Sequence, residues 1–119
     1  MSGQASDKPV LRIRIDFPDR PSLGPGKIRL LEEIEAAGSI AAAARGMGMS
    51  YRRAWLLVDE LNSMFAGPLV ATQLGGARGG GAVVTPAGHQ VIAHYRRVET
   101  EAGRATADLL AGLDQAEPE

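Results

Sequence analysis

Ser50, Tyr51, Arg52, Arg53 and Trp55 fall within the hexapeptide SYRRAW and bring together a hydroxyl, a phenol, two guanidinium groups and an indole. Such a donor set suits a polyanion whose edges carry paired acceptors. A guanidinium fork pairs bidentately with O6 and N7 of guanine, and side chains in the first turns of a helix reach base edges in the DNA major groove. A serine opening that helix adds a hydroxyl and a free backbone N-terminus for a phosphate. The same residues also fit a plainer role, a solvated arginine pair on an ordinary helix with Trp55 as packing. The surrounding chain separates the two.

Ser39 is a good N-cap for a short helix containing Ile40 and the run Ala41 to Ala44, because its hydroxyl can accept from a backbone N–H of the first turn. Alanine has the best helix propensity and lets a second helix approach closely. Gly46 and Gly48 bracket Met47 at a sharp turn. Ser50 then caps a second helix over 50–65, with Ala54, Leu57, Val58, Leu61 and Phe65 at i, i+3, i+4 spacing as its buried stripe. Arg52, Leu56, Asp59 and Ser63 lie opposite, with Arg53 and Trp55 on the flanks.

A hairpin follows, with strands near 69–74 and 82–85 and a tip GGARGGG at 75–81. Arg78 is the one charge in that tip, placed for a phosphate or the minor groove. The plainer alternative is a flexible hairpin tip. A nucleotide-binding loop is excluded, since no Gly-Lys-Ser/Thr precedes a helix. Helix, turn, helix and hairpin in this order make a winged helix-turn-helix, which tips the arginine pair towards DNA. Ser39, Ser50, Tyr51, Arg52, Arg53, Trp55 and Arg78 are the candidate DNA-binding residues.

SYRRAW, with GSIAAAA before it and GGARGGGAVVTPAG after it, resembles the N-terminal domain of ModE-type molybdate-responsive transcriptional regulators. Ser, Tyr, a basic pair, Ala and Trp at the start of the recognition helix carry the resemblance, as does the glycine-rich tip with one basic residue. It runs from Leu11 to the middle of the last helix. The stretch is similar, more loosely, to the DNA-binding domain of LysR-type regulators. The resemblance implies a mainly α fold with a small β wing and a double-stranded DNA partner in a bacterial cytoplasm. Full ModE-type regulators also carry C-terminal molybdate-binding domains. No such segment stands in this chain, so no molybdate site is expected in it.

Upstream, VLRIRIDF at 10–17 alternates, with Leu11, Ile13 and Ile15 on one face and Arg12, Arg14 and Asp16 on the other. That period predicts a half-buried strand, pairing either with the wing or across a dimer. Pro18, Pro21 and Pro25 mark a connecting turn, and a first helix is expected over 26–37 with Ile28, Leu30, Leu31 and Ile34 inward. Glu32, Glu33 and Glu35 are expected to face solvent. Without partner His or Asp they do not make a catalytic or metal site.

The last helix is expected over 86–113, opened by a favourable N1 proline. Val91, Tyr95, Val98, Ala102, Ala105 and Leu109 are spaced as a heptad seam. A helix of roughly 40 Å is too long to pack wholly on so small a body. The reading is a dimerisation helix that sets two recognition helices on a palindromic operator. A surface helix of a monomer is the alternative. His89 and His94 are five apart, unlike the i, i+4 helical metal pair, and are taken as non-ligands.

At 119 residues and 45% apolar content the chain suits one core. Residues 1–9 are expected to be disordered, 10–113 to form the winged domain with its dimerisation helix, and 114–119 an acidic tail. The formal net charge of −1 divides into +4 over 1–98 and −5 over 99–119, which leaves the putting of a positive face on the folded body open. Absence of cysteine excludes disulfides and thiolate metal sites and fits a reducing cytoplasm. No apolar run is long enough for a membrane span. No cofactor is expected, and an enzyme is disfavoured because no convergent polar site is visible. The alternative function is a winged-helix interaction module that modulates another regulator through the long helix.

Overall fold

The computed structural model describes residues 8–73 and 80–116. Most of the segment expected to be disordered, Arg78 with most of the wing tip, and the end of the acidic tail lie outside the described residues.

The chain opens with a hairpin of β1 (Ile15–Phe17) and β2 (Arg20–Leu23), antiparallel, with Ile15 opposite Leu23 and Phe17 opposite Arg20. This corrects the single strand expected over 10–17, which pairs neither with the wing nor, in this chain, along its full length. The period-two burial nevertheless persists: Leu11, Ile13, Ile15 and Phe17 are half-buried while Arg12, Arg14 and Asp16 are exposed. β2 replaces the expected connecting turn. Pro21 is tolerated in it because the strand is an edge of a two-stranded sheet, where a missing N–H costs little.

α1 (Pro25–Ala37) begins with proline in its first turn and buries Ile28, Leu30, Leu31 and Ile34. It stops at Gly38, which takes the left-handed conformation (φ 77°) and donates its N–H to the Ile34 carbonyl. α2 (Ile40–Gly46) and α3 (Tyr51–Met64) are separated by a turn through Gly48 at φ 67°. β3 (Val70–Gln73) pairs with β4 (Gly81–Val84) in an unbroken register from Val70 opposite Val84 to Gln73 opposite Gly81. α4 (Pro86–Asp114) is 29 residues long and capped by Thr85, whose hydroxyl oxygen accepts from Gly88 N at 3.0 Å.

The core draws on every helix: Leu31 and Ile34 of α1, Ala43 and Ala44 of α2, Val58 and Leu61 of α3, and Tyr95 of α4. Leu69, Val70, Ala82 and Val84 close it from the wing. Burying each large aliphatic side chain contributes about 1.5–3 kcal/mol. Met64 is buried with the expected α3 stripe, of which Leu57 and Phe65 are only half-buried.

The α1 acids reach solvent as expected, and two of them also pair with α4. Both Glu32 carboxylate oxygens accept from Arg96 of α4, at 2.7 and 3.0 Å, and Glu35 meets His89 Nε2 at 3.0 Å. Glu33 lies 3.9 Å from Arg29 within α1. The partners of Glu32 and Glu35 come from a helix more than fifty residues away, which no local pattern reveals.

Candidate nucleic-acid interface

Two serines set the helix-turn-helix. Ser39 Oγ accepts from Ala42 N and Ser50 Oγ from Arg53 N, each at 3.0 Å, so each satisfies an end N–H that has no partner inside its helix. Both hydroxyls keep their own proton for an external acceptor. Tyr51, Arg52 and Arg53 are exposed on the first turn of α3, with Tyr51 55% exposed. Trp55 is half-buried against the core and meets Tyr51 edge-on, ring centroids 6.3 Å apart. It packs, yet keeps one side at the surface.

The pairing of cations divides the molecule. Arg14, Arg20, Lys27, Arg29, Arg96, Arg97 and Arg104 each sit within 4 Å of a carboxylate. Arg96 is the most strongly held: hydrogen bonds to Glu32 and then Glu99 push its guanidinium well above the ordinary arginine value. Among the described residues, Arg45, Arg52 and Arg53 have no carboxylate or carbonyl partner for their guanidinium groups, and all three are exposed at the α2–α3 turn or just beyond it. Arg12, in the N-terminal stretch, shares that condition. Arg45 was not a candidate from sequence. It lies in the last turn of α2, and its isolation depends on where distant acids fall.

The wing is tied to α3 by one side chain that sequence reading passed over. Asn62 Oδ1 accepts from Leu69 N at 2.8 Å and Val70 N at 2.9 Å, and its Nδ2 donates to the Val70 carbonyl at 3.1 Å. Ala82 N donates to the Gly38 carbonyl at 2.9 Å, joining β4 to the α1–α2 junction. Arg20 reaches across from β2 to the Met64 carbonyl at the end of α3 (2.7 Å), with its guanidinium 4.3 Å from the Phe17 ring centre. Lys27 of α1 bridges to Glu60 of α3 at 2.8 Å. α3 and the wing are thereby held as one surface. Between them runs a cleft lined by Ser39, Tyr51, Trp55, Thr72 and Gln73.

α4 divides the expected heptad seam. Tyr95 is buried in the chain's own core and its hydroxyl donates to the Ile13 carbonyl, so it is not free to face a partner. Burial, with the Glu99 carboxylate adding to it, raises the Tyr95 phenol above its ordinary value. Val91 also packs against the core. Val98, Ala105 and Leu109 are exposed and Ala102 is half-buried; Leu109 and Leu113 are 71% and 72% exposed. The seam is open only from Val98 onwards. His89 binds Glu35, and no group of three or more metal-ligating side chains occurs among the described residues.

No family model matches the sequence. The chain is 42% identical over 93 residues to the molybdenum-pterin-binding protein MopB of Rhodobacter capsulatus, a match covering 78% of this chain and 33% of that protein. It is 40% identical over 92 residues to the molybdenum transport protein ModE of Azotobacter vinelandii, covering 77% and 34% respectively. With the DNA-binding transcriptional dual regulator ModE of Escherichia coli it shares 41% over 91 residues, covering 76% and 30%. The chain therefore spans about a third of the length of the curated relatives it matches. Those names describe regulators, a transport protein and a molybdenum-pterin-binding protein, not enzymes. Fold and sequence together make this chain a winged helix-turn-helix domain of the ModE type.

Proposed function

We propose that this chain binds double-stranded DNA as part of a transcriptional regulator, with α3 in the major groove and the wing against the flanking backbone. One observation carries the reading: of the four described arginines left without carboxylates, three, Arg45, Arg52 and Arg53, lie at the helix-turn-helix, while those of α1 and α4 are neutralised in place. Arg52 and Arg53 are assigned to base edges, Tyr51 and Ser50 to base or phosphate, and Arg45 to phosphate. Arg78 is assigned to the backbone beside the wing. Trp55 supports Tyr51 by ring contact.

The working form is a homodimer on a palindromic operator. The open stripe of Val98, Ala105, Leu109 and Leu113 supports it, since apolar side chains in a helical row seek a partner helix. DNA as the target makes the cytoplasm its site of action. No described helix is long and apolar enough to cross a membrane. The molybdenum named for the relatives is not assigned to this segment.

Selection of genomic fragments by the purified protein at fixed salt tests the proposal. A recovered palindrome is the expected result. Folded protein that enriches no sequence would overturn it, and would favour a module that pairs with another protein through the same α4 stripe.

A further inference from the structure

The cleft between α3 and the wing has an unusual donor set. Tyr51 and Trp55 stand on one side and Thr72 and Gln73 on the other, with Ser39 beside them; every polar side chain that lines it is uncharged. Neither a cation nor a carboxylate of the described residues borders it. The Ser39 oxygen accepts from Ala42 N, which leaves its O–H unused. Among the described residues, the side-chain polar groups of Tyr51, Trp55, Thr72 and Gln73 have no hydrogen-bond partner. Thr72 and Gln73 are exposed at the end of a strand whose register against β4 is complete, so their placement does not depend on their own side-chain contacts.

We propose that this cleft seats one phosphodiester group of a DNA strand, held by neutral hydrogen-bond donors, with Thr72 and Gln73 as contact residues. The inference rests on the DNA-binding reading above and adds to it a site that the arginines do not form. A strand passing between a helix in one groove and a wing against the next presents its backbone, not its bases, to the floor between them. Serine, threonine, glutamine and tyrosine donors suit phosphate oxygens, and a site without carboxylates does not repel them. Such a contact positions the duplex without reading sequence. It also differs from an arginine contact in one measurable respect. A neutral donor adds hydrogen-bond energy but displaces no condensed counterion, whereas each cation placed on a phosphate steepens the salt dependence of log K by about 0.9.

Binding of a fluorescent mixed-sequence duplex, followed by anisotropy through a salt series, tests the site. The Thr72→Val, Gln73→Ala double variant should bind roughly tenfold more weakly at every salt concentration, with the slope of log K against log salt unchanged. Arg45→Ala, measured alongside, should lower that slope by about 0.9. Gln73→Lys should raise the slope by about 0.9, because it puts a cation on the same phosphate. Both positions are exposed, and circular dichroism melts of the variants should match the parent. A double variant that binds like the parent overturns the site, as does a Gln73→Lys slope that stays where it was. A parent protein that binds no duplex overturns the DNA reading itself and this site with it, an outcome distinct from either variant result.

Discussion

A guanidinium with a carboxylate at hand is spent on it; one without is available to a phosphate or a base. Arg45 and Arg52 are both unpaired, but they occupy different ends of the turn. Arg52 stands in the first turn of α3, where side chains reach base edges, and Arg45 in the last turn of α2. Arg52→Ala should therefore erode discrimination between a selected operator and its scrambled form. Arg45→Ala should weaken both duplexes alike and lower the salt slope by about 0.9. Competition binding with the two duplexes checks both outcomes. Equal loss of discrimination in the two variants would remove the division of roles. Tyr95 gives a residue-scale prediction about stability. Its phenol is raised in the folded chain by burial and then by Glu99, so the fold favours the neutral form. The stability this supplies is fully present below the ordinary tyrosine value near pH ~10 and is lost as pH climbs through the higher folded value. Urea denaturation of the parent should show that alkaline loss, and Tyr95→Phe should blunt it while costing about 1 kcal/mol at neutral pH for the missing bond to Ile13.

Elements are positioned here by a few side chains that bridge them. Asn62 serves three backbone groups at the root of the wing, and Asn62→Ala leaves two N–H groups and a carbonyl to find water. A loss of about 2 kcal/mol in urea denaturation is expected, on the cost of unmade hydrogen bonds. Gly88 does the opposite work by being small. A Cβ there would stand 2.6 Å from Val84 Cγ1, with the Leu69 carbonyl close on its other side, so α4 could not lie as near to the wing. Gly88→Ala should cost about 1–3 kcal/mol by overpacking, read from the same denaturation curves. Neither residue announces itself in the sequence. The helices do, because the inward positions Ile28, Leu31 and Ile34 and the caps Ser39 and Ser50 are written in local spacing. The wing strands do too, through the glycines between them. β2 does not, because its proline reads as a turn until an edge position excuses it. Asn62 is hidden because a polar residue on a helix looks solvated until a strand eight residues later turns back onto it. The α4 heptad is legible as a period, but a period names a face and not its occupant: Tyr95 spends that face on Ile13 and Leu109 leaves it open.

At the scale of the whole molecule, charge and apolar surface are sorted. Three of the four unpaired arginines among the described residues gather at the helix-turn-helix, while Leu109 and Leu113 are exposed far along α4. Leu109→Glu with Leu113→Glu should convert a dimer to monomer in sedimentation and leave helicity unchanged, since both side chains are already in water within one chain. A species that sediments identically before and after substitution would overturn pairing through this stripe. A further consequence concerns connectivity. Lys8, Pro9 and Leu11 line the same hollow as Ala111, Asp114 and Gln115, so the beginning of the described chain runs beside the end of α4. The fold is close to a closed loop of polypeptide. A circular permutant, with a short flexible linker joining these neighbours and new ends opened at the exposed Pro18–Asp19 turn, should therefore keep the recognition surface intact, because the order in which the chain visits its elements matters less than where it leaves them.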